Sequence, residues 1–249
     1  MSGTRDEFTY RYYETFLSRL KEKYDFISFR EGKETPATGK PCVILRHDID
    51  MDPASALIMS SLEKNLGIYS TYFFLVRNPL YNLFSGSGTE QVRGILENGH
   101  RLGLHFDCAL YDGINADNIN DHVWKEVSLL EDFFYRPVEA VSFHRPGPLE
   151  LSGVEINGLP STYEKVFLEK FDYFSDSRGE WSRGIPTGSS SFAEGRNLHI
   201  LAHPVWWNEV PMTPYQCLEE VLNKLGRQAE EYIAANCQVW ERDRPVRER

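Results

Sequence analysis

Short apolar runs alternate with amphipathic segments along most of this chain, and this alternation leaves only a small set of folds. The runs predict buried strands, and the segments with apolar residues at helical spacing predict helices packed outside them. Strands that alternate with helices run parallel and are joined by crossovers, which makes the fold α/β. The predicted strands are 41–46, 69–76, 101–105, 138–144, 171–175 and 198–202. The predicted helices are 7–23, 53–66, 89–98, 123–134 and 213–225.

The chain length separates two architectures of this class. A single α/β barrel typically needs about 250 residues, and the chain has 249. An open doubly wound sheet is the rival, but the Gly-x-Gly-x-x-Gly turn of a dinucleotide fold is missing after the first strand. We therefore predict one barrel over 41–240, with a helix and loop over 1–40 packed on it and a charged tail over 241–249.

Composition and charge exclude several classes of protein. Hydrophobic residues make up 41% of the chain, enough for a globular core. Lys and Arg number 27 against 37 Asp and Glu, and the resulting net charge of −10 argues against a nucleic-acid partner. No apolar run reaches the roughly 18–20 residues that cross a bilayer, and the first residues show no apolar leader. With four scattered cysteines, the expected location is a reducing cytoplasm.

Two aspartates end the first predicted strand. Asp48 and Asp50 lie two residues apart on an extended chain, so their side chains project from the same face. Two carboxylates this close do not both stay ionised cheaply without a cation beside them. One can then bind a metal while the other acts as a base. Asp52, in contrast, precedes Pro53 and is predicted to cap the following helix.

Histidines stand at the ends of three later strands. His105 is followed two residues on by Asp107, His144 is followed by Arg145 in a proline-rich turn, and His203 follows the last apolar run. The carboxyl ends of parallel strands collect at one edge of a sheet or barrel. We therefore expect these side chains to lie near the two aspartates.

Some neighbours of these histidines allow two interpretations. Arg145 either clamps Asp48 and lowers the pKa of that carboxyl, or forms an ordinary surface ion pair. Trp206 and Trp207 either stack on sugar rings or fill the core, and we predict core. His100 precedes its strand and is predicted to be a turn residue.

In this order and spacing, five segments resemble the motifs of the NodB-homology polysaccharide deacetylases, carbohydrate esterase family 4. The resemblance extends from about Val43 to Trp207, which is most of the chain. The five segments are Asp48-Ile49-Asp50, Gly99 to His105, His144-Arg145-Pro146, Tyr173 to Trp181 and Leu201-Ala202-His203.

The resemblance implies a fold and a reaction. The fold is a distorted barrel of about seven β/α units, and the reaction is metal-dependent removal of an acetyl group from an N-acetylated sugar. Carried over by motif, Asp50 and His105 hold a divalent metal, with zinc the expected ion. Asp48 is the general base, oriented by Arg145, and His203 is the general acid that protonates the departing amine.

One position departs from the family pattern. A second metal-binding histidine usually follows four residues after the first, and here that position is Ala109. The third ligand must come from elsewhere, and His144 and Asp107 are the candidates. Imidazole is a common zinc ligand, which favours His144.

These observations together predict a cytoplasmic metal-dependent hydrolase. Its expected partner is an N-acetylated sugar of a surface polysaccharide or of a precursor, with neither nucleic acid nor a membrane span involved. A hydrolase of small amides with the same fold is one alternative. A glycan-binding barrel in which Ala109 records a lost metal site is the other.

Overall fold

Seven parallel strands form the centre of the computed structural model, which describes residues 6–34, 39–145 and 154–242. Six strands lie in the order β5-β4-β3-β2-β7-β6, and β1 pairs with the first residues of β2. All of these pairs are parallel. The strands are β1 (Asp25–Phe26), β2 (Cys42–Ile49), β3 (Thr71–Phe74), β4 (Arg101–Asp107), β5 (Val138–His144), β6 (Asp172–Ser175) and β7 (Leu198–Ala202).

Helices make most of the crossovers between these strands. The α-helices in the described part of the chain are α1 (Tyr10–Lys23), α2 (Phe29–Lys33), α3 (Pro53–Asn65), α4 (Gly86–Glu97), α5 (Ile119–Phe134), α6 (Lys165–Lys170), α7 (Ser190–Glu194), α8 (Pro214–Asn236) and α9 (Gln238–Arg242). Single 3-10 turns occur at Asp6–Phe8, Cys108–Leu110, Ser177–Gly179, Pro186–Gly188 and Pro204–Trp206.

The sheet does not close on itself. Strands β5 and β6 are its two edges, and within the described residues they do not pair with each other. Part of the free edge of β5 is covered by the segment before α6, where the Thr162 amide donates to the Val141 carbonyl at 3.0 Å. The molecule is thus a single α/β domain with an open, all-parallel sheet. This arrangement is consistent with a distorted barrel, so the predicted fold class is confirmed.

Local sequence fixes where two of the long helices begin. The Asp52 side chain accepts a hydrogen bond from the Ala54 amide, and Pro53 is the first residue of α3, as predicted. Thr213 and Gln216 form a reciprocal capping box at the start of α8. The first of these caps sets the sharp turn from β2 into α3, immediately after Asp50.

The two faces of the sheet have different contents. One face is covered by helices through two large apolar clusters, one joining β2 and β7 to α1 and the other joining β3, β4 and β5 to α4 and α5. The opposite, inner face has a smaller apolar cluster that includes Ile44, Phe73 and Phe167. Buried polar side chains of the same strands adjoin that cluster, among them Arg46 and His199. The inner face is therefore the one that carries polar chemistry.

Several predicted boundaries differ from the structure, and α8, for example, continues to Asn236 instead of ending at 225. The loop predicted between the N-terminal helix and the barrel also contains a helix, because Gly32 and Lys33 are the last residues of α2. A capping box between Ser28 and Glu31 starts this short helix, and burial of Phe29 holds it on the body. The end of the predicted charged tail, 243–249, lies outside the described residues. In the part that is described, we find no helix with the length and apolar character of a membrane span.

Candidate active site

Strand β2 ends in two aspartates whose surroundings differ. Both face the same imidazole: Oδ2 of Asp48 lies 3.8 Å and Oδ1 of Asp50 lies 3.2 Å from Nε2 of His105. The Asp48 side chain is almost completely buried, whereas that of Asp50 is 20% exposed. The Tyr81 hydroxyl donates to the Ile49 carbonyl at 2.6 Å and fixes the main chain between them. The two-residue spacing thus places the carboxylates together, as predicted, with one buried and one accessible.

Three possible metal ligands converge at Asp50. Its Oδ1 atom lies 3.2 Å from Nε2 of His105 and 3.6 Å from Nδ1 of His144, and the three ligand atoms all lie within 4.8 Å of one another. Although buried, this oxygen makes no hydrogen bond within the described part of the chain. A carboxylate oxygen left without a donor beside two imidazole nitrogens is suited to a divalent cation. These residues therefore fit a metal with nitrogen and oxygen ligands.

The hydrogen bonding of His105 also suits metal binding. Its Nδ1 lies 2.7 Å from Oγ of Ser142, and that hydroxyl donates to Oδ1 of Asp48 at 3.4 Å. Because the single hydroxyl proton goes to Asp48, the serine oxygen accepts from Nδ1–H of His105. The lone pair of Nε2 is then directed at Asp50 and available to a cation.

The pKa values of Asp50 and His144 also favour metal binding. Burial lowers the pKa of His144, and the neighbouring His105 lowers it further, so the imidazole is neutral at physiological pH. Burial by itself would raise the pKa of Asp50. The neighbouring imidazoles, His105 first and then His203 and His144, outweigh burial and lower that pKa to about 2. Asp50 is therefore ionised and His144 offers a lone pair.

Arg46 supplies the cation beside Asp48. Its Nη2 atom lies 3.2 Å from Oδ2 of Asp48, and both side chains are about 95% buried. The guanidinium also lies over the ring of Phe73, with Cζ 5.7 Å from the ring centroid. Burying two charges is costly unless they pair in this way, so each side chain compensates the charge of the other.

The expectation that Arg145 clamps Asp48 is wrong. Arg145 pairs with Asp107 instead, through Nε at 3.2 Å from Oδ1 and through a second contact to Oδ2. Its backbone is left-handed, with φ of 45°, and its side chain is 56% exposed. Asp107 also accepts from the Ala109 amide at the 3-10 turn after β4. With its carboxylate engaged in this way, Asp107 lies outside the group of possible metal ligands.

His203 lies on the other side of Asp50, held by a buried carboxylate. Its Nδ1 is 2.6 Å from Oδ1 of Asp176, and its Nε2 is 3.9 Å from Oδ2 of Asp50. Asp176 is fully buried and accepts further hydrogen bonds from the His203 amide and from Nε1 of Trp207. Burial alone would lower the pKa of His203, but the hydrogen bond and charge of Asp176, with Asp50 and Asp48, raise it to about 9. His203 is therefore protonated at neutral pH.

Sequence reasoning missed the roles of Arg46, Ser142 and Asp176. Side chains two residues apart on a strand share a face, and this rule could have indicated Arg46 and Ser142. Arg46 precedes Asp48 by two residues, and Ser142 precedes His144 by two. Asp176 follows β6, whose neighbour in the sheet is the strand that ends at His203. Only the strand order brings these two together, and spacing along the chain does not reveal it.

The remaining predictions have mixed outcomes. Trp206 and Trp207 are buried, as predicted, and Trp207 has the added hydrogen bond to Asp176. His100 is buried rather than a simple turn residue, with Nε2 2.9 Å from the Ser60 carbonyl. The prolines predicted to shape the turn after Arg145, 146–148, lie outside the described residues.

Comparisons with known proteins give only remote likenesses. No family model and no curated protein matches the sequence. Among solved structures, the deacetylase PplD of Streptococcus pyogenes has 15% identity and a TM-score of 0.43, over 83% of this chain and 84% of that one. A chitin deacetylase from the fungal pathogen Colletotrichum lindemuthianum has 18% identity and a TM-score of 0.37, over 74% and 82%.

A third likeness is to a protein described as inactive. This pseudoenzyme of carbohydrate esterase family 4, from Bacillus anthracis, has 13% identity and a TM-score of 0.42. The match covers 75% of this chain and 60% of that one, so the matched region spans about three-fifths of the pseudoenzyme.

Proposed function

We propose that this chain is a metal-dependent hydrolase that removes the N-acetyl group from a sugar of a bacterial surface polysaccharide or of its precursor. One observation carries the proposal: Asp50, His105 and His144 meet at a single point, with Asp48 in its pair with Arg46 and a protonated His203 beside them. Hydrolysis of an amide needs a Lewis acid, a base and an acid around one carbonyl. Together, these five side chains supply a site for the Lewis acid, a base and an acid.

The metal would be held by Asp50, His105 and His144. Two imidazoles and one carboxylate are a ligand set that zinc accepts, with room left for solvent or substrate. When bound, a divalent metal supplies the polarisation of the acetyl carbonyl and the acidity of the attacking water. Asp50 and His144 remain partly exposed, at 20% and 28%, so a substrate can reach this point.

Asp48 is the general base in this proposal. Arg46 and the Ser142 hydroxyl both bind its carboxylate and hold it in a buried position. Its Oδ2 faces the metal ligands, 3.8 Å from Nε2 of His105. It therefore accepts the proton of the attacking water. Arg145, which the motif suggested as its positioning residue, is assigned instead to the rim of the site.

His203 is the general acid. The departing sugar amine must gain a proton, and the imidazolium that Asp176 maintains carries one at Nε2. Nε2 is also the atom that faces Asp50, 3.9 Å away. The acid thus lies beside Asp50 and the base lies beside His105, so both are next to the proposed metal ligands, where addition of water and expulsion of an amine require them.

The nature of the substrate follows from this chemistry and from charge. The net charge of −10 disfavours nucleic acid, and a neutral N-acetylated sugar meets no such penalty. Because both tryptophans are buried, they offer no exposed platform for a long glycan. We therefore propose a cytoplasmic glycan precursor as the substrate.

The test is acetate release from a panel of N-acetylated monosaccharides, oligosaccharides and small amides. The zinc-loaded protein should release acetate from a sugar, and chelation or Asp48→Asn should reduce the rate at least about a hundredfold. Asp172→Asn, at the far end of β6, is the matched control and should keep the activity. A zinc-loaded protein that is inactive on the whole panel would favour the glycan-binding alternative. Activity on small amides alone would favour the alternative of a small-amide hydrolase.

A further inference from the structure

A small polar cavity lies on the inner face of the sheet, behind the proposed base. It has a volume of about 90 Å³ and is lined by six residues from β2, β6, β7 and the segment around α6. Leu168, which is 48% exposed, places its mouth at the protein surface. The six residues are Arg46, Thr162, Tyr163, Leu168, Tyr173 and His199.

Three of these side chains are buried without the partners they need. Arg46, Thr162 and His199 are each at least 96% buried. Within the described residues, Nε of Arg46, Oγ1 of Thr162 and Nε2 of His199 make no hydrogen bond. A single orphan of this kind is uncommon, because an unmet hydrogen bond costs roughly 1–3 kcal/mol. Three orphans lining one cavity indicate that the cavity has an occupant that satisfies them.

The charges of the lining select an anion. Arg46 is the only charged residue among the six, and Asp48 engages only its Nη2, leaving Nε–H unused. Burial raises the pKa of both Tyr163 and Tyr173, so they are neutral hydroxyl donors. Burial also lowers the pKa of His199 well below its ordinary value, so that imidazole is neutral. One cation and several neutral donors therefore face the cavity, with no acidic lining residue.

The size of the cavity restricts the occupant further. A volume of about 90 Å³ is smaller than the roughly 150 Å³ of a cavity that holds benzene. Acetate is smaller than benzene and fits such a space, whereas a sugar ring is larger than benzene and does not. Leu168 provides an apolar wall for a methyl group opposite the polar atoms.

We propose that this cavity is a binding site for a small monocarboxylate of the size of acetate. One carboxylate oxygen accepts from Nε–H of Arg46 and the other from the hydroxyl of Thr162, with the tyrosine hydroxyls as further donors. The site is separate from the metal ligands, since none of Asp50, His105 and His144 lines it.

The proposal has a consequence for the reaction, and that consequence rests on the proposed function. Acetate is the second product of deacetylation. Bound in the cavity, it would occupy the side of the Arg46 guanidinium that Asp48 leaves unused. A site for the product would then share one guanidinium with the general base.

The experiment measures binding of [1-13C]acetate to the full chain by ligand-observed NMR, with zinc bound and again with excess EDTA. EDTA removes acetate that binds through the metal and leaves acetate in the cavity. We expect saturable binding that persists in EDTA and is weakened about tenfold or more in Thr162→Val, which is nearly isosteric. Tyr173→Phe should weaken it in the same direction. Thr187→Val, at another buried threonine, is the control and should bind as wild type does.

Three outcomes would overturn the proposal. These are no saturable binding in EDTA, equal affinity in wild type and Thr162→Val, and a crystal structure in acetate that shows only water in the cavity. EDTA-resistant binding without any deacetylase activity would support the site and count against the proposed function. Deacetylase activity without EDTA-resistant binding would support the proposed function and count against the site.

Discussion

Arg46 and Asp48 form a buried ion pair from two residues of a single strand. From the sequence, only Arg145 was predicted as the partner of the proposed base, and Arg46 was missed, although Arg46 precedes Asp48 by two residues. The left-handed backbone of Arg145 and the nearby acceptor Asp107 determine that Arg145 pairs with Asp107. Neither can be read from residue types. The two-residue spacing of Asp48 and Asp50, in contrast, was sufficient to predict that they share a face.

We expect Arg46→Met and Arg145→Met to behave very differently. Removing Arg46 leaves the Asp48 carboxylate buried without its cation, which should lower the free energy of unfolding by about 3–5 kcal/mol and abolish acetate release. Arg145 is 56% exposed, and loss of such a surface pair should cost no more than about 1 kcal/mol. Urea unfolding and acetate release measure both effects. An Arg145→Met variant as damaged as Arg46→Met would return the positioning role to Arg145.

At the scale of elements, β2 serves two networks through its alternating sides. Arg46 and Asp48 face the site, and His47 between them faces α3, where its Nε2 lies 2.7 Å from Oε1 of Glu63. Glu63 is fully buried and also accepts from the hydroxyls of Tyr13 and Ser70. This carboxylate joins β2 and α3 to α1, so it holds the strand from behind.

The Glu63 network predicts a pH dependence of stability. Burial alone would raise the pKa of Glu63, but the charge and hydrogen bond of His47, followed by His100 and Ser70, lower it to about 2. A carboxyl with a lowered pKa in the folded state stabilises fully above its ordinary pKa of 4.5, and this contribution disappears as the pH falls towards 2.

We therefore expect the free energy of unfolding to fall more steeply between pH 5 and about pH 3 in wild type than in Glu63→Gln. The full contribution is on the order of 3 kcal/mol. Urea titrations at several pH values measure it, with Glu97→Gln on the exposed side of α4 as the matched control. Parallel pH profiles for wild type and Glu63→Gln would contradict the role assigned to this carboxylate.

Close packing on the inner face makes a second prediction at this scale. A Cβ atom at Gly103 of β4 would lie 2.6 Å from Cδ1 of Phe73, so Gly103→Ala forces the ring or the strand to move. We expect a loss of about 1–3 kcal/mol in the free energy of unfolding. Gly226 lies within α8 with no atom within 4 Å of an added Cβ, and Gly226→Ala should instead gain about 0.5–1 kcal/mol. Equal effects of the two substitutions would contradict the close contact at Gly103.

The length and apolar content of an element determined whether the sequence could predict it. The strands Val138–His144 and Leu198–Ala202 match the predicted ranges, because each is a short, mainly apolar segment with clear boundaries. The elements β1, α2, α6 and α7 have two to six residues, too few for a period to appear. Tertiary contacts hold these pieces in place, as the burial of Phe29 in α2 and Phe167 in α6 shows.

At the scale of the whole molecule, one of the three possible metal ligands directly follows β2 and the other two lie in β4 and β5. Parallel strands place their carboxyl ends at one edge, so the sequence could predict that these residues share a region. It could not choose between His144 and Asp107, which end adjacent strands and pair in the register of β4 with β5. Atomic positions favour His144, because Asp107 is already bound by Arg145.

A metal that joins three strands should stabilise the folded chain as a whole. At a free zinc concentration 100 times the dissociation constant, the expected gain is about 2.7 kcal/mol, measured as a rise in Tm and as the zinc content of the purified protein. Asp50→Asn and His144→Asn should lose most of this gain. His122→Asn, on α5 away from the three ligands, should keep it. If His144→Asn kept the gain and Asp107→Asn lost it, Asp107 would be the third ligand. Arg145 would then have to release Asp107 when zinc binds, and the proposed site would form only after that rearrangement.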